Sequence, residues 1–482
     1  MSTFHTGRDD ALGDHDLVSL LTALKAGEVS AAEVRVAAIE RAHAAQRELN
    51  AVAAWGAPGD GPAPDPEGPL AGVPTFVKDN EDVKGLRTSF GSRATADRPA
   101  VRSSDYSRTL AGLGAEVLGK TTMPEFGLTA TTEPLAFGPT RNPWHLDRAV
   151  GGSSGGSAAL VAAGALPYAS ANDGGGSIRI PAACCGLVGL KPTRGRLVSP
   201  EGSRGLPVPI STEGVVTRTV RDTALFYSLA EQMVRRDDLA ATVDTSLAPI
   251  GHVEGPLSPR LRIGYFDASL TGAAAPDVAD AVRRTALALD AAGHHVEMIE
   301  FPFDEQFGKD FLRYWAMLAF AIRHGGERVH GAGFDAAALE PFTNGLAAFF
   351  TTVGPAAPAS IWRLRHFGTA YAQAFEHFDV LLSPTTAHTA PPIGLLAGDF
   401  RGHIVRLLRF AAYTAIQNVA GAPAISLPVG LDADGLPIGV QLAGLPGAER
   451  VLLALAYEVA EAVPAPVLTA TPAAPESPSD PA

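Results

Sequence analysis

Gly151-Gly152-Ser153-Ser154-Gly155-Gly156-Ser157, followed by Asp173-Gly174-Gly175-Gly176-Ser177-Ile178-Arg179, is the stretch on which the reading of this chain turns. Runs of glycine let several backbone N–H groups face one point without Cβ obstruction, which suits a phosphate or an oxyanion. A phosphate-binding P-loop requires a lysine after the glycines, and none follows either cluster. A dinucleotide fingerprint requires an acidic residue about 20 residues further on in a βαβ unit. The second cluster runs instead into Pro181 and the pair Cys184-Cys185. Two glycine turns in tight packing remain the plain alternative. The first cluster also fits G-x-S-x-G, the nucleophile elbow of α/β-hydrolases, which needs a downstream acid and a late histidine. His388 and His403 could serve, so an esterase built on Ser153 stays open at this point.

A serine nucleophile can also use a neutral lysine as its base. The chain has six lysines: Lys25, Lys78, Lys84, Lys120, Lys191 and Lys309. Three residues before them stand Thr22, Thr75, Glu81, Val117, Val188 and Gln306, so the Ser-x-x-Lys arrangement is absent. A lysine remote in sequence is left. Lys78 ends the apolar run Val73 to Val77, where burial would favour its neutral form. The alternative for a lysine at a strand end is a salt-bridged surface residue.

Outward from the clusters, helical and extended patterns alternate. Leu17, Leu20, Leu21 and Leu24 mark one helix that stops at Gly27, and Ser30 with Glu33 predicts a capping box opening a second. A Gly/Pro-rich loop spans Gly56 to Gly68, and Val73 to Val77 reads as a strand. A helix over Thr109 to Leu113 passes into a strand over Ala115 to Gly119. Ser157 to Gly164 reads as a small-residue helix and Leu166 to Ala171 as a strand. Cys184 and Cys185 read as small buried hydrophobes in an apolar strand. Residues 230–260 carry no pattern and read as a long surface connection. Leu261 to Tyr265, Pro276 to Ala292 and His295 to Ile299 make another strand–helix–strand unit. The adjacent His294 and His295 would point to opposite strand faces, which argues against a metal pair. Residues 305–375 are helical and aromatic. Val380 to Leu382 and Ala424 to Pro428 return to strand, and Glu449 to Ala462 closes with a helix. The Pro/Ala/Ser-rich stretch 464–482 reads as a disordered tail.

With 482 residues, 46% of them hydrophobic and 18% charged, the chain can bury a large core without disulfides. Its net charge of −13 argues against nucleic acid or an anionic membrane as the main partner. Two adjacent cysteines give neither a disulfide framework nor a thiolate metal cage. Neither a signal peptide nor a transmembrane span is legible, and the expected location is the cytoplasm.

Taken together, Gly72-Val73-Pro74 with Val77-Lys78-Asp79-Asn80 and the two clusters resemble the amidase signature family. Ser153 stands 75 residues after Lys78, and Ser177 stands 24 after Ser153, spacings similar to that family's. The likeness extends over Leu49-Asn50-Ala51, Phe137-Gly138, Arg141 to Trp144, Asn418 to Pro428 and Leu436 to Gln441. It implies an α/β fold with a large mixed β-sheet sandwiched between helices, in a single domain over 1–470. The variable, substrate-lining segment would be about 230–400. It also implies a Ser–Ser–Lys triad: Ser177 as nucleophile, Ser153 as bridge after a cis peptide, Lys78 as base. Backbone amides of Gly174, Gly175, Gly176 and Ser177 would form the oxyanion hole, and Gly127 and Thr129 would line the acyl site. Ser154 competes with Ser153 for the bridging place, and the family's pattern favours Ser153. Asp173, Arg179 and Asn142 read as scaffold. Gly174 departs from the family, where isoleucine is frequent, and a looser turn is expected there. The implied activity is hydrolysis of a small linear carboxylic amide to acid and amine, without cofactor or metal. The glutaminase subunit of a tRNA-dependent amidotransferase is the alternative within the family. A homodimer is compatible with the sequence, which specifies neither oligomeric state nor substrate.

Overall fold

The computed structural model describes residues 2–468, except residues 8, 204, 237, 238, 240, 241, 257, 258, 398 and 399. Leu17, Leu20 and Ala23 bury one face of α1 (Leu17–Ala26), which Asp16 caps and Gly27 ends at φ 70°. Ser30 and Glu33 make the expected capping box at the start of α2 (Ala31–Leu49). A small sheet follows from β1 (Val52–Trp55), β2 (Pro74–Lys78) and, beyond α3 (Asp105–Gly112), β3 (Glu116–Thr121), in the order β1-β3-β2.

A ribbon of β4 (Arg141–Asn142) and β5 (His145–Ala149) leads to the first cluster, which runs into α4 (Gly155–Ala162). β6 (Tyr168–Asp173) then delivers the second cluster, which runs into α5 (Arg179–Cys185). β7 (Val188–Lys191), β8 (Thr212–Thr217) and α6 (Val220–Arg236) complete this half. The expected strand–helix–strand unit is β9 (Arg262–Tyr265), α7 (Pro276–Ala291) and β12 (His295–Met298), interrupted by the two-residue strands β10 (Ala268–Ser269) and β11 (Gly272–Ala273). The aromatic segment forms α8 (Glu305–His330), α9 (Pro341–Val353), α10 (Ala357–Arg365) and α11 (Phe367–Gln373). β13 (Val380–Pro384), α12 (Phe400–Phe410), α13 (Ala415–Ala420), β14 (Ala424–Leu431), β15 (Pro437–Ala443) and α14 (Glu449–Ala462) close the chain.

The main sheet has eight strands in the order β12-β9-β13-β15-β14-β7-β8-β6. β12, β9 and β13 run parallel, and every later neighbour is antiparallel. All residues of β7, β8, β13 and β15 are buried, so helices cover both faces. The sheet is the large mixed one expected, with the three-stranded sheet beside it. Thr75 Oγ1 donates to Tyr168 O at 3.3 Å and the Lys78 amide reaches Ser170 Oγ at 3.4 Å, which tie β2 to β6.

Three local readings differ from the structure. Cys184 and Cys185 end α5 rather than lying in a strand, and Gly186 stops that helix in the left-handed region at φ 68°. A short apolar run does not distinguish a buried helix from a strand, and Pro181 is tolerated in a first turn. Residues 230–260 are not a bare surface connection. α6 extends to Arg236, and Leu239, Ile250 and Val253 are buried. Glu231 anchors the return by accepting from the Ile250 amide at 2.7 Å. β15 was not anticipated as a strand, yet it is wholly buried at the sheet's centre. Of the proline-rich tail, 469–482 lie outside the described residues, and 464–468 hold neither helix nor strand. Among the described residues, no helix is long and apolar enough to cross a membrane.

Candidate active site

Lys78 is the last residue of β2 and is 1% exposed, so its side chain cannot reach water as a surface lysine would. Its Nζ lies 2.7 Å from Ser153 Oγ and 3.3 Å from Asn172 O. Burial pulls its pKa down from 10.5 to about 7, against the opposing pull of Glu213, Asp173 and Glu81. A lysine so placed is available as a neutral base near neutrality.

Ser153 follows a cis peptide bond from Gly152, as the family resemblance implied. Ser154 is turned away. Its hydroxyl and the Asn172 main chain face each other, at 3.2 Å to Asn172 O and 3.3 Å to Asn172 N. Ser153, not Ser154, is the serine whose hydroxyl Lys78 contacts.

Ser177 sits at the end of the turn joining β6 to α5, 8% exposed. Its carbonyl accepts from the Ser154 amide at 3.3 Å, which brings the two serine clusters together. Among the described residues, no hydrogen bond joins the Ser177 and Ser153 hydroxyls. The turn is clamped from below. Asp173 Oδ1 accepts from the Gly176 amide at 2.7 Å, and Oδ2 accepts from Ile178 at 3.1 Å. Arg179 holds the same carboxylate through Nε and Nη2, both at 2.9 Å, with both side chains fully buried. Arg179 also reaches Gln417, Gln441 and Asn418 at 3.0, 2.7 and 2.6 Å. Burial opposes ionisation of Asp173, but Arg179 outweighs it and holds the carboxyl far below the usual range. Asn142 is scaffold too, donating to Ala149 O and Cys184 O at 3.1 and 2.9 Å.

The glycines divide into two kinds. The Gly176 amide is already used by Asp173, so Gly174, Gly175 and Ser177 are the amides of the turn with no acceptor among the described residues. The Gly174 position is crowded on one side. A Cβ there would lie 2.9 Å from Ser211 Oγ, so the departure from the family makes room for Ser211. Gly127, at φ 67°, approaches the base pair directly, because a Cβ on it would meet Ser153 Oγ at 3.1 Å. The Thr129 hydroxyl is held by Thr131 O at 2.9 Å.

Phe311 and Trp315 belong to the helical, aromatic segment legible in the sequence, but nothing there tied them, or Thr414, to this turn. α8 lays Phe311 and Trp315 over the turn, 3.5 and 4.0 Å from where Cβ atoms on Gly175 and Gly174 would stand. Trp315 Nε1 donates to Leu128 O at 3.1 Å, so the indole bridges the turn and the Gly127 loop. Thr414 Oγ1 donates to Gly175 O at 2.6 Å. The late histidines are engaged elsewhere. His388 Nδ1 is 2.8 Å from Thr389 O, and His403 packs on Phe342 with ring centroids 4.2 Å apart. The Ser153–histidine esterase arrangement is therefore not formed. Cys184 and Cys185 are buried, and burial raises both thiol pKa values, Cys184 to about 12. Among the described residues, no three His, Cys, Asp or Glu gather as a metal site.

A family model for amidases matches residues 31–453. AmiC of Mycobacterium tuberculosis (strain ATCC 25618 / H37Rv), which carries the name of an amidase, is 45% identical over 96% of this chain and 98% of its own. The 6-aminohexanoate-cyclic-dimer hydrolase of Paenarthrobacter ureafaciens is 35% identical over 92% of this chain and 93% of its own. A solved structure of 6-aminohexanoate cyclic dimer hydrolase with substrate superposes with a TM-score of 0.83 at 31% identity, covering 94% of this chain and 97% of that one. A bacterial aryl acylamidase of the amidase signature enzymes gives 0.79 at 28% identity, covering 93% and 96%.

Proposed function

This chain belongs to the amidase signature family of hydrolases, and from that premise we propose that it cleaves a small carboxylic amide through a Ser177–Ser153–Lys78 relay. The observation that carries the proposal is the buried Lys78 Nζ, 2.7 Å from Ser153 Oγ. An amide is a poor electrophile, so its hydrolysis needs an activated nucleophile, a stabilised oxyanion and a proton for the leaving nitrogen. Neutral Lys78 takes the Ser153 proton as Ser153 takes that of Ser177. Ser177 Oγ attacks the carbonyl carbon, and the amides of Gly174, Gly175 and Ser177 receive the developing negative charge. Each such donor is worth about 3 kcal/mol. The relay then returns the proton to the departing amine, leaving an acyl-enzyme on Ser177 that water hydrolyses. The bond between the two serine hydroxyls closes when substrate aligns them, as catalytic hydrogen bonds commonly do.

Phe311 and Trp315 present apolar surface beside the turn, which supports an amide with an aryl or alkyl group next to the scissile bond. Relatives named for cyclic-dimer and aryl acyl substrates accord with this and take the proposal beyond linear amides. A turnover screen of anilides, primary amides, cyclic amides and glutamine tests it. Anilides or cyclic amides should be preferred over glutamine. Glutamine alone being turned over would favour the amidotransferase-subunit reading, and no amide turnover at all would overturn the function.

A further inference from the structure

Beside the oxyanion turn stands a hydroxyl that the relay does not use. The antiparallel pairing of β6 with β8 ends at Asp173 opposite Thr212, so the next step outward sets Gly174 against Ser211. Asn418 ties the two strand ends together there. Its Nδ2 donates to Asp173 O at 2.8 Å and to Ile210 O at 3.0 Å. Ser211 is thus held by the main chain around it rather than by its own side chain. That side chain is half-buried, and among the described residues its Oγ makes no hydrogen bond. A Cβ on Gly174 would lie 2.9 Å from this Oγ and 4.0 Å from Trp315 Cη2. With glycine in place, the space beside the Gly174 amide is bounded by a hydroxyl on one side and the rim of an indole on the other.

We propose that Ser211 is a specificity-determining residue: its hydroxyl bonds a neutral polar group, a hydroxyl or an amide, that the substrate's acyl part carries next to the scissile carbonyl. This rests on Ser177 attacking an amide whose oxyanion the Gly174 amide receives. The Lys78–Ser153 relay must face the leaving nitrogen to protonate it, which leaves the acyl part to the Gly174 side of the turn. A bound substrate covers Gly174 and takes water away from Ser211. An acyl group with only methylene at that point leaves the hydroxyl unpaired, whereas one with a donor or acceptor replaces the lost water. Serine both gives and accepts a hydrogen bond, so a hydroxyl and an amide fit equally. Neither Ser211 nor Trp315 carries a charge, and Asp173 is spent on Arg179 below the turn, so a neutral group suits the space.

The test compares two amides of one amine, the amine that the turnover screen prefers: the glycolyl and the acetyl amide, which differ by a single hydroxyl. Wild-type kcat/KM should favour the glycolyl amide about tenfold. Ser211→Ala should bring the ratio close to one and leave thermal unfolding in place, since the hydroxyl bonds nothing in the protein. A wild-type ratio near one, or a preference that survives in Ser211→Ala, would overturn the proposal. A large fall in the unfolding temperature of Ser211→Ala would give the hydroxyl a structural role and overturn it as well. Gly174→Ala gives a second reading, because its Cβ would stand 2.9 Å from Ser211 Oγ. It should erase the same preference while slowing both amides, and a preference kept there would contradict the proposed contact. No turnover of any amide would instead refute amide hydrolysis itself, so the two failures are distinguishable.

Discussion

Replacing Lys78 by methionine should make the protein more stable at pH 7 while destroying its activity. Burial lowers this lysine from 10.5 to about 7, so the unfolded chain binds the proton more readily than the folded one. A drop of that size costs the folded protein roughly 5 kcal/mol at pH 7. The sign follows from linkage: the penalty is full below the folded value and vanishes as pH rises through 10.5. Methionine removes the penalty but forfeits the bonds to Ser153 Oγ and Asn172 O, each worth about 1 kcal/mol. A net gain of about 3 kcal/mol at pH 7 is expected, shrinking steadily towards pH 10. Denaturant unfolding of both proteins at pH 7, 8.5 and 10 measures it. A wild type as stable as the variant at pH 7, or a difference indifferent to pH, would refute the argument.

The remaining predictions follow from named contacts. Wild-type kcat/KM should rise with pH on one ionisation centred near 7, from Lys78, and keep that limb in every His→Ala variant. A histidine substitution that erases the limb would reassign the base. Arg179→Met should destabilise by about 3–5 kcal/mol, because it strands the fully buried Asp173 carboxylate, and thermal unfolding would register it. Gly127→Ala should lower kcat at least tenfold with little change in global unfolding, since its Cβ meets Ser153 Oγ at 3.1 Å on a φ of 67°. Prolonged dialysis against a strong chelator should leave kcat unchanged, and loss restored by one metal would contradict the relay.

Lys78 and the two clusters were legible because their chemistry is local: glycine for amides, serine for nucleophile, and a lysine at the end of an apolar run. The order and spacing of those motifs carried the resemblance, and the resemblance carried the fold. What stayed hidden depends on long-range packing. Nothing near Phe311 or Trp315 marks them as neighbours of Gly174 and Gly175, and only the path of α8 brings them there. Gly176 looked equivalent to its neighbours until Asp173 was seen to take its amide. Cys184 and Cys185 were misplaced in a strand because a short apolar run lacks a period.

The central claim is that Ser177 is the atom acylated and that Lys78 makes it nucleophilic. Peptide mapping by mass spectrometry after an acid quench during turnover of an anilide tests both halves. The acyl mass should appear on the peptide containing Ser177 in the wild type, and in neither Lys78→Ala nor Ser177→Ala. An adduct on Ser153, or an undiminished adduct on Ser177 in Lys78→Ala, would contradict the account.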